Sequence, residues 1–320
     1  MRSNIKQKIS ELIDVRNRSI HGNSYFESSF RVSELKRLFE FNKDKDSELT
    51  RYFPVATIAL LEAFFRAVVK EAIDKGEPYI SNSEEIIKNI KFDLETVKAF
   101  QGKEITLGEF ISQQLSFSRL DHLNSVLSKL FKIEFLKEIS TVYNRWEVEI
   151  ERRQQVPIIS NPEKVFTSVS RMFEIRHIIC HEWATKVDFT HSEISICFEE
   201  CMDFLKASHE LVSNLFHPNA PLTQADMNIE AGESLNESLR ELQSLNQEVL
   251  SNLCEERKNE VLEASKAWEV FMKSWADFVA NEYKGGSILP LIYASEANAV
   301  VKDRLKQVKE YSEAYHTEEL

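Results

Sequence analysis

The scarcity of turn-forming residues restricts this chain to folds built from helices. It has only 7 glycines and 7 prolines in 320 residues, whereas a chain of many short strands needs glycine or proline at most of its turns. Pro54 and Gly76 are expected at the first position and just beyond the end of one long helix. Between them, apolar residues recur at helical spacing, at Ile58, Leu61, Phe64, Phe65 and Val68. The sequence therefore predicts an all-α fold.

The chain is long enough for two domains, and one short segment separates them. Residues 217–223 read His-Pro-Asn-Ala-Pro-Leu-Thr, a composition typical of a linker. We predict a helical domain over residues 1–217, with a core at about 30–216 and an N-terminal helical extension. A smaller helical domain is predicted over residues 222–320.

Charge and hydropathy argue against two classes of protein, namely those that bind nucleic acid over their whole surface and those that span a membrane. The net charge is −12, and residues 218–320 contribute −9 of it from 19 acidic and 10 basic groups. Non-specific binding of nucleic acid by the whole surface depends on Lys and Arg and is not expected, although the nearly balanced N-terminal part can hold a local basic groove. No apolar run approaches about 18 residues, and the four cysteines form no CxxC pair. We expect a cytoplasmic protein with reduced thiols and no membrane contact.

An arginine and two histidines interrupt the apolar pattern of a helix that is predicted over residues 162–185. At about 100° per residue, His177 and His181 lie one turn apart on one face, and Arg176 falls on an adjacent face. Burying such groups without partners costs about 1 to 3 kcal/mol each. This helix is therefore expected either to pack against a polar partner or to line a site.

The spacing Arg176-x4-His181, with His177 directly after the arginine, resembles the R-x4-6-H motif of the HEPN superfamily. A second match runs from Arg16 through Asn17 to His21, at the end of a predicted helix. We favour an ordinary role for this second match, since basic side chains stabilise the C-terminal end of a helix dipole. The alternative is that both matches build one intramolecular site.

The resemblance to the HEPN superfamily, which extends over roughly residues 30–216, implies a function. Active members of the superfamily are metal-independent ribonucleases, and their helical domains pair about a two-fold axis. For this chain, the resemblance implies a homodimeric endoribonuclease with an RNA substrate, which acts as a toxin or in defence against phage. By motif position, His181 would be the acid/base group, Arg176 would stabilise charge on the scissile phosphate and His177 would support the pair. No metal or other cofactor is implied, because RNA supplies its own nucleophile.

Other interpretations of these residues stay open. They can stabilise a dimer or dock a partner in a non-catalytic HEPN interaction protein, or they can be a coincidence within a helical core. His177-x3-His181-Glu182 has metal-ligand spacing, but it lacks the internal glutamate of HExxH zinc enzymes and an obvious third ligand. Solvent access to both histidines favours catalysis over a sealed interface, and four arginines are candidates for a basic rim: Arg145, Arg152, Arg153 and Arg171.

The segment after the linker resembles the LprI-like lysozyme-inhibitor domain. The resemblance rests on Thr-Gln-Ala-Asp-Met-Asn from Thr223, on Ala267-Trp268, and on Gly-Gly-Ser-Ile-Leu-Pro-Leu-Ile-Tyr-Ala from Gly285. Where members of that family carry cysteines, this chain has Glu230 and Glu296. The resemblance implies a module that recognises a protein partner or regulates the RNA cleft. Three aromatic residues at i, i+3 and i+7 are predicted to pack in its core, namely Trp268, Phe271 and Trp275.

Overall fold

The computed structural model describes residues 2–18, 24–42, 47–88, 92, 94–183 and 188–316. Over these residues it is helical and contains no β-strand, although a β-bridge pairs Tyr143 with Pro157. The predicted all-α fold class is confirmed. The chain divides into two compact units, Met1–Pro218 and Asn219–Leu320.

The first unit is a helical bundle arranged around α3. This helix packs against α2, α4, α6, α7, α9 and α10, and its fully buried apolar side chains include Ile58, Leu61, Phe65 and Val69. Its part Glu48–Asp74 is also long and apolar enough to cross a membrane, but here it forms the centre of the hydrophobic core. The helices of this unit are α1 (Arg2–Arg18), α2 (Ser24–Phe41), α3 (Ser47–Asp74), α4 (Tyr79–Ile87), α5 (Leu94–Gln101), α6 (Leu107–Gln114), α7 (Leu120–Phe131), α8 (Phe135–Ile139), α9 (Pro162–His181) and α10 (His191–Phe216).

Helix α3 begins earlier than the sequence predicts. Pro54, expected at the first helical position, lies inside a helix that starts at Ser47. An internal proline removes one backbone hydrogen bond, but packing holds the turn that precedes it. Phe53 is buried, and its ring centroid lies 4.4 Å from that of Phe39 in α2. The predicted start was wrong because this tertiary contact extends the helix.

The segment between α7 and α9 is not the long helix that periodicity predicts from Glu134 to about Arg153. It holds the short α8 and a π-helical turn, Trp146–Ile150. Asn144, which lies between them, accepts the N–H of Glu147 at 3.3 Å and donates to the Glu147 carboxylate at 2.8 Å. Such local side-chain bonds compete with continuous helix, and apolar periodicity does not reveal them.

Helix α9, which carries the motif, is fixed at its start and along one face. The Asn161 side chain accepts the N–H of Lys164 at 3.1 Å, and Pro162 occupies the first helical position. Its buried face packs against α3 and α10. The helix ends at His181, before Thr185, which lies outside the described residues. The buried residues include Val165, Val169, Met172 and Ile175.

The second unit consists of three long helices over its described residues. These are α11 (Gln224–Ser251), α12 (Glu255–Ala280) and α13 (Leu289–His316), and α13 packs against both of the others. Asn228 of α11 donates to the carbonyl oxygen of Ser287 at 3.0 Å, which fixes the turn before α13. Gly285 adopts a positive φ of 87° in that turn, a conformation that favours glycine.

The aromatic pattern of α12 does not form the core in the predicted way. Trp268 packs against the core, but Phe271 is 55% and Trp275 is 43% exposed. Met272 and Ala276 occupy the buried positions instead. The prediction was wrong for Phe271 and Trp275 because the apolar face of α12 is wider than the stripe that its neighbours cover.

Candidate functional site

The last two turns of α9 present the two histidines of the motif to solvent. His177 and His181 are both exposed, and their ring centroids lie 4.8 Å apart, with an angle of 45° between the ring planes. The spacing of four residues accounts for this proximity. Trp183, just beyond the helix, is 97% exposed. This end of α9 therefore offers two accessible imidazoles beside each other.

Arg176 contacts the central helix rather than the histidine pair. Its Nη2 atom lies 3.6 Å from Oε1 of Glu62 on α3, with the arginine side chain 29% and the glutamate 14% exposed. At about 100° per residue, Arg176 and His181 are separated by about 140° around the axis of α9. One protomer thus presents the two motif residues on different sides of the helix.

Glu62 also contacts a second arginine, one turn along α3. The Nη1 atom of Arg66 lies 3.5 Å from Oε2 of Glu62, and its guanidinium carbon is 5.9 Å from the ring centroid of Phe117. In the part of the chain that the structure describes, the buried Nε of Arg66 has no hydrogen-bond acceptor. Two guanidinium groups therefore share one carboxylate, which leaves one positive charge in excess.

Glu62 and Arg66 were not among the site residues predicted from the sequence. Their signal was present: an acidic and a basic residue at i and i+4 lie inside the most regularly apolar helix of the chain. Charged residues within such a helix need a partner or a function. Only the structure shows that the Glu62 carboxylate lies next to the motif arginine.

Carboxylates already pair with three of the four arginines that were candidates for a basic rim. Arg145 donates from Nε to Glu149 at 2.9 Å, and Nε of Arg153 lies 2.8 Å from Glu151. Arg152 is exposed on a left-handed backbone, with φ of 57°. Arg145, Arg153 and Arg171 therefore add little unpaired positive charge. The carboxylate partners of Arg171 are Glu174, Asp188 and Glu193.

The second motif match is only partly described. Arg16 and Asn17 are exposed in the last turn of α1, and His21 lies outside the described residues. Nη1 of Arg16 lies 3.8 Å from Oε2 of Glu109 on α6, whereas Arg176 contacts α3. Arg16 therefore contacts a different helix from Arg176.

The described residues contain no group of three or more His, Cys, Asp or Glu side chains that could hold a metal ion. His177 and His181 thus have no third ligand within that part of the chain. Cys197 and Cys201 are buried in the first unit. Loss of hydration raises the pKa of both thiols, which favours their neutral form.

In the second unit, helix α12 has an exposed apolar face, defined by Val270, Phe271, Trp275 and Phe278. The rings of Trp275 and Phe278 have centroids 5.8 Å apart, and Nε1 of Trp275 donates to the carboxylate of Glu296 on α13 at 3.3 Å. Clustered exposed aromatic side chains are typical of interaction sites.

A comparison with known protein families finds a match in the second unit. Residues 218–308 match the family described as Lysozyme inhibitor LprI. The match starts at the boundary between the two compact units and covers α11, α12 and most of α13. It agrees with the resemblance seen in the sequence from Thr223 onward, and it does not extend to residues 1–217. Neither a curated protein nor a solved structure matches the chain.

Proposed function

We propose that the Met1–Pro218 unit is a metal-independent endoribonuclease of the HEPN type that acts as a homodimer. The observation that carries this proposal is the pair of exposed imidazoles, His177 and His181, directly after the partly exposed Arg176 at the end of one helix. An imidazole can accept and return a proton near neutral pH, and a guanidinium binds two phosphate oxygens at once. These are the groups that RNA cleavage without a metal requires.

In the proposed reaction, His181 accepts the proton of the ribose 2′-hydroxyl. The 2′-oxygen forms a bond to the adjacent phosphorus, and the bond from phosphorus to the 5′-oxygen breaks. A protonated imidazole returns a proton to that leaving oxygen, so that the products are a 2′,3′-cyclic phosphate and a 5′-hydroxyl. Arg176 stabilises the negative charge that develops on the phosphate oxygens, and His177 positions the reacting groups.

The arrangement of the motif on α9 supports the proposed homodimer. Arg176 and His181 lie on different sides of the helix in one protomer, so a cleft between two copies is a simple way to bring both groups to one phosphate. Mixed dimers test this. We expect an equal mixture of Arg176→Ala and His181→Ala proteins, unfolded and refolded together, to recover part of the cutting that each variant lacks alone. If the refolded mixture cuts no more RNA than the separate variants do, the site is not shared between protomers.

Cleavage of a mixed RNA pool in EDTA tests the nuclease itself. The wild type should cut and leave cyclic phosphate ends, and Arg176→Ala and His181→Ala should not. His122→Ala and Arg37→Ala are matched controls, because both residues are exposed in the same unit, lie on α7 and α2 and belong neither to the motif nor to the ion pairs of Glu62. Equal cutting by all five proteins would reject the proposed site, and no cutting by the wild type would favour the non-catalytic interaction protein.

The resemblance also implies a biological role as a toxin or a phage-defence effector. If this is right, induced expression of the wild-type chain should stop bacterial growth or block phage propagation, and both motif variants should lose the effect at equal protein levels. Normal growth and normal plaque counts with an RNA-cleaving wild type would reject this role while leaving the chemistry intact.

A second candidate function belongs to the LprI-like unit, which we propose is a protein-recognition module. The exposed apolar face of α12 is the observation that favours it, and the net charge of −9 over residues 218–320 favours a positively charged partner. Lysozyme is the first partner to test, because the matching family is named for its inhibition. Calorimetric titration should show binding that Phe271→Ser weakens and Arg37→Ala does not. Absence of heat with the wild type at two different temperatures would exclude lysozyme, because the heat-capacity change of an apolar interface keeps the binding enthalpy from being zero at both.

A further inference from the structure

We propose that Arg66 is a second phosphate-binding residue, which together with Arg176 holds a backbone phosphate of the RNA. The choice of RNA as the ligand rests on the proposed function. The oxyanion site itself rests on the contacts of Glu62, a residue that lies outside both the motif and the family match.

Both arginines are only loosely held by the fold. Their distances to the Glu62 carboxylate are 3.5 Å for Arg66 and 3.6 Å for Arg176, whereas a well-formed charge-assisted hydrogen bond measures about 2.7–2.9 Å. Each guanidinium has five N–H donors, and one carboxylate cannot satisfy ten. The cluster is thus rich in donors and positive charge and poor in acceptors, which is the composition of an oxyanion site.

Charge, rather than exposure, distinguishes these two arginines from Arg171. The side chains of Arg66 and Arg176 are 30% and 29% exposed, while the shared glutamate is 14% exposed. A phosphate can therefore reach the guanidinium groups from the solvent side while the carboxylate stays behind them. Arg171 has a similar exposure of 26%, but it contacts three carboxylates and has no excess charge to offer.

The position of the cluster relative to the histidines agrees with a site shared by two protomers. Within one protomer, His181 lies about 7.5 Å from Arg176 along the axis of α9 and about 140° around it, so the cluster and the histidine would act on one nucleotide chain across the proposed dimer cleft. The ring of Phe117 beside the Arg66 guanidinium limits the directions that this group can take. Arg66 is therefore expected to bind substrate phosphate and not to transfer protons.

Binding of a short 2′-O-methylated RNA tests the site without cleavage, because this probe lacks the nucleophile. Fluorescence anisotropy at several salt concentrations should show that Arg66→Ala weakens binding about tenfold or more. The slope of log K against log salt should become less steep by about 0.7, the value for one lost phosphate contact on a single strand. Arg66→Lys should keep most of the slope and recover part of the affinity, because it keeps the charge but loses the planar fork. Arg37→Ala, on α2, should match the wild type.

The two proposals fail in different ways. Unchanged affinity and slope for Arg66→Ala, or a wild type that does not bind the probe, would overturn the phosphate site. If Arg66 is required for binding but unmodified RNA is not cut, the phosphate site stands and the nuclease fails. Cutting that depends on Arg176 and His181 but not on Arg66 would leave the nuclease and remove Arg66. Circular dichroism of each variant separates loss of binding from loss of folding, and Arg66→Lys remains informative if the alanine variant does not fold.

Discussion

Glu62 of α3 lies 3.6 Å from Arg176 of α9, so a single carboxylate connects the central helix of the first unit to the proposed catalytic motif. The same carboxylate contacts Arg66 at 3.5 Å. Glu62 is the more buried partner in both pairs. Removing an arginine leaves the glutamate with a remaining partner, whereas removing the glutamate leaves two neighbouring cations.

Replacing Arg176 with alanine should therefore leave the fold intact. A partly exposed, loose ion pair stabilises a protein by about 1 kcal/mol or less, and urea denaturation should show a loss of that size. Glu62→Ala should lose about 1–3 kcal/mol, because it leaves two partly buried guanidinium groups without their acceptor. A larger loss for Arg176→Ala than for Glu62→Ala would mean that the arginine mainly supports the structure.

Gly108 is predicted to be intolerant of any side chain. Its N–H donates to Oδ1 of Asp74 at 2.9 Å, and an added Cβ would lie 2.7 Å from that oxygen and closer still to the carbonyl oxygen of Lys70. Gly108→Ala should therefore force α6 away from α3 and destabilise the first unit by about 1–3 kcal/mol. Thermal unfolding measures the change.

Gly232 provides the matched control within α11. An added Cβ there meets nothing within 4 Å, and alanine is favoured over glycine inside a helix by about 1 kcal/mol. Gly232→Ala should raise the stability of the second unit. A gain in stability from Gly108→Ala similar to that from Gly232→Ala would show that α6 does not approach α3 closely.

Much of the fold could be predicted from the sequence because helical periodicity and end signals are local. Gly76, with a positive φ of 93°, follows the end of α3, and α9 begins at Pro162, both as the sequence predicts. The start of α3 was not, since the contact between Phe39 and Phe53 joins residues of different helices. The break in the predicted helix at Asn144 was missed because the Asn144 side chain accepts a hydrogen bond from the backbone N–H of Glu147, and apolar periodicity does not reveal such a bond.

Only the contacts of the candidate site that lie within helix α9 could be predicted from the sequence. The i, i+4 rule correctly places His177 beside His181. The partner of Arg176 comes from α3, more than a hundred positions away in the chain, and no spacing rule within α9 reaches it. The aromatic residues of α12 show the same limit, because periodicity identifies an apolar face but not how much of it a neighbouring helix covers.

Phe271 and Met272, which are adjacent in α12, test directly which part of its apolar face is covered by neighbouring helices. Phe271 is 55% exposed, whereas Met272 is 4% exposed. Phe271→Ser should change the free energy of unfolding by about 0.5 kcal/mol or less, as is usual for surface positions. Met272→Ala should lower it by about 2 kcal/mol or more, because it leaves a cavity in the small core of α11, α12 and α13. Equal losses would mean that the face around Phe271 is covered.

Acid should destabilise the first unit partly through His209 of α10. Loss of hydration lowers the pKa of this imidazole from its ordinary value of 6.5. Below about pH 6.5 the unfolded chain binds a proton at this position that the folded chain does not bind, so acidification favours unfolding until the lowered pKa is reached. The contribution of His209 to stability is thus fully present above pH 6.5 and is lost as the pH falls.

Burial lowers the pKa of His209 but raises the pKa of the neighbouring Glu210. The Glu210 carboxylate accepts the backbone N–H of Arg145 at 3.3 Å. The contribution of Glu210 to the free energy of unfolding is therefore greatest at low pH and falls as the pH rises through the raised pKa.

A comparison of two proteins that both retain Glu210 isolates the effect of His209. Between about pH 7.5 and about pH 5.5, urea denaturation should show that the wild type loses more stability than His209→Gln. An equal loss in both proteins would show that His209 is hydrated in the folded state.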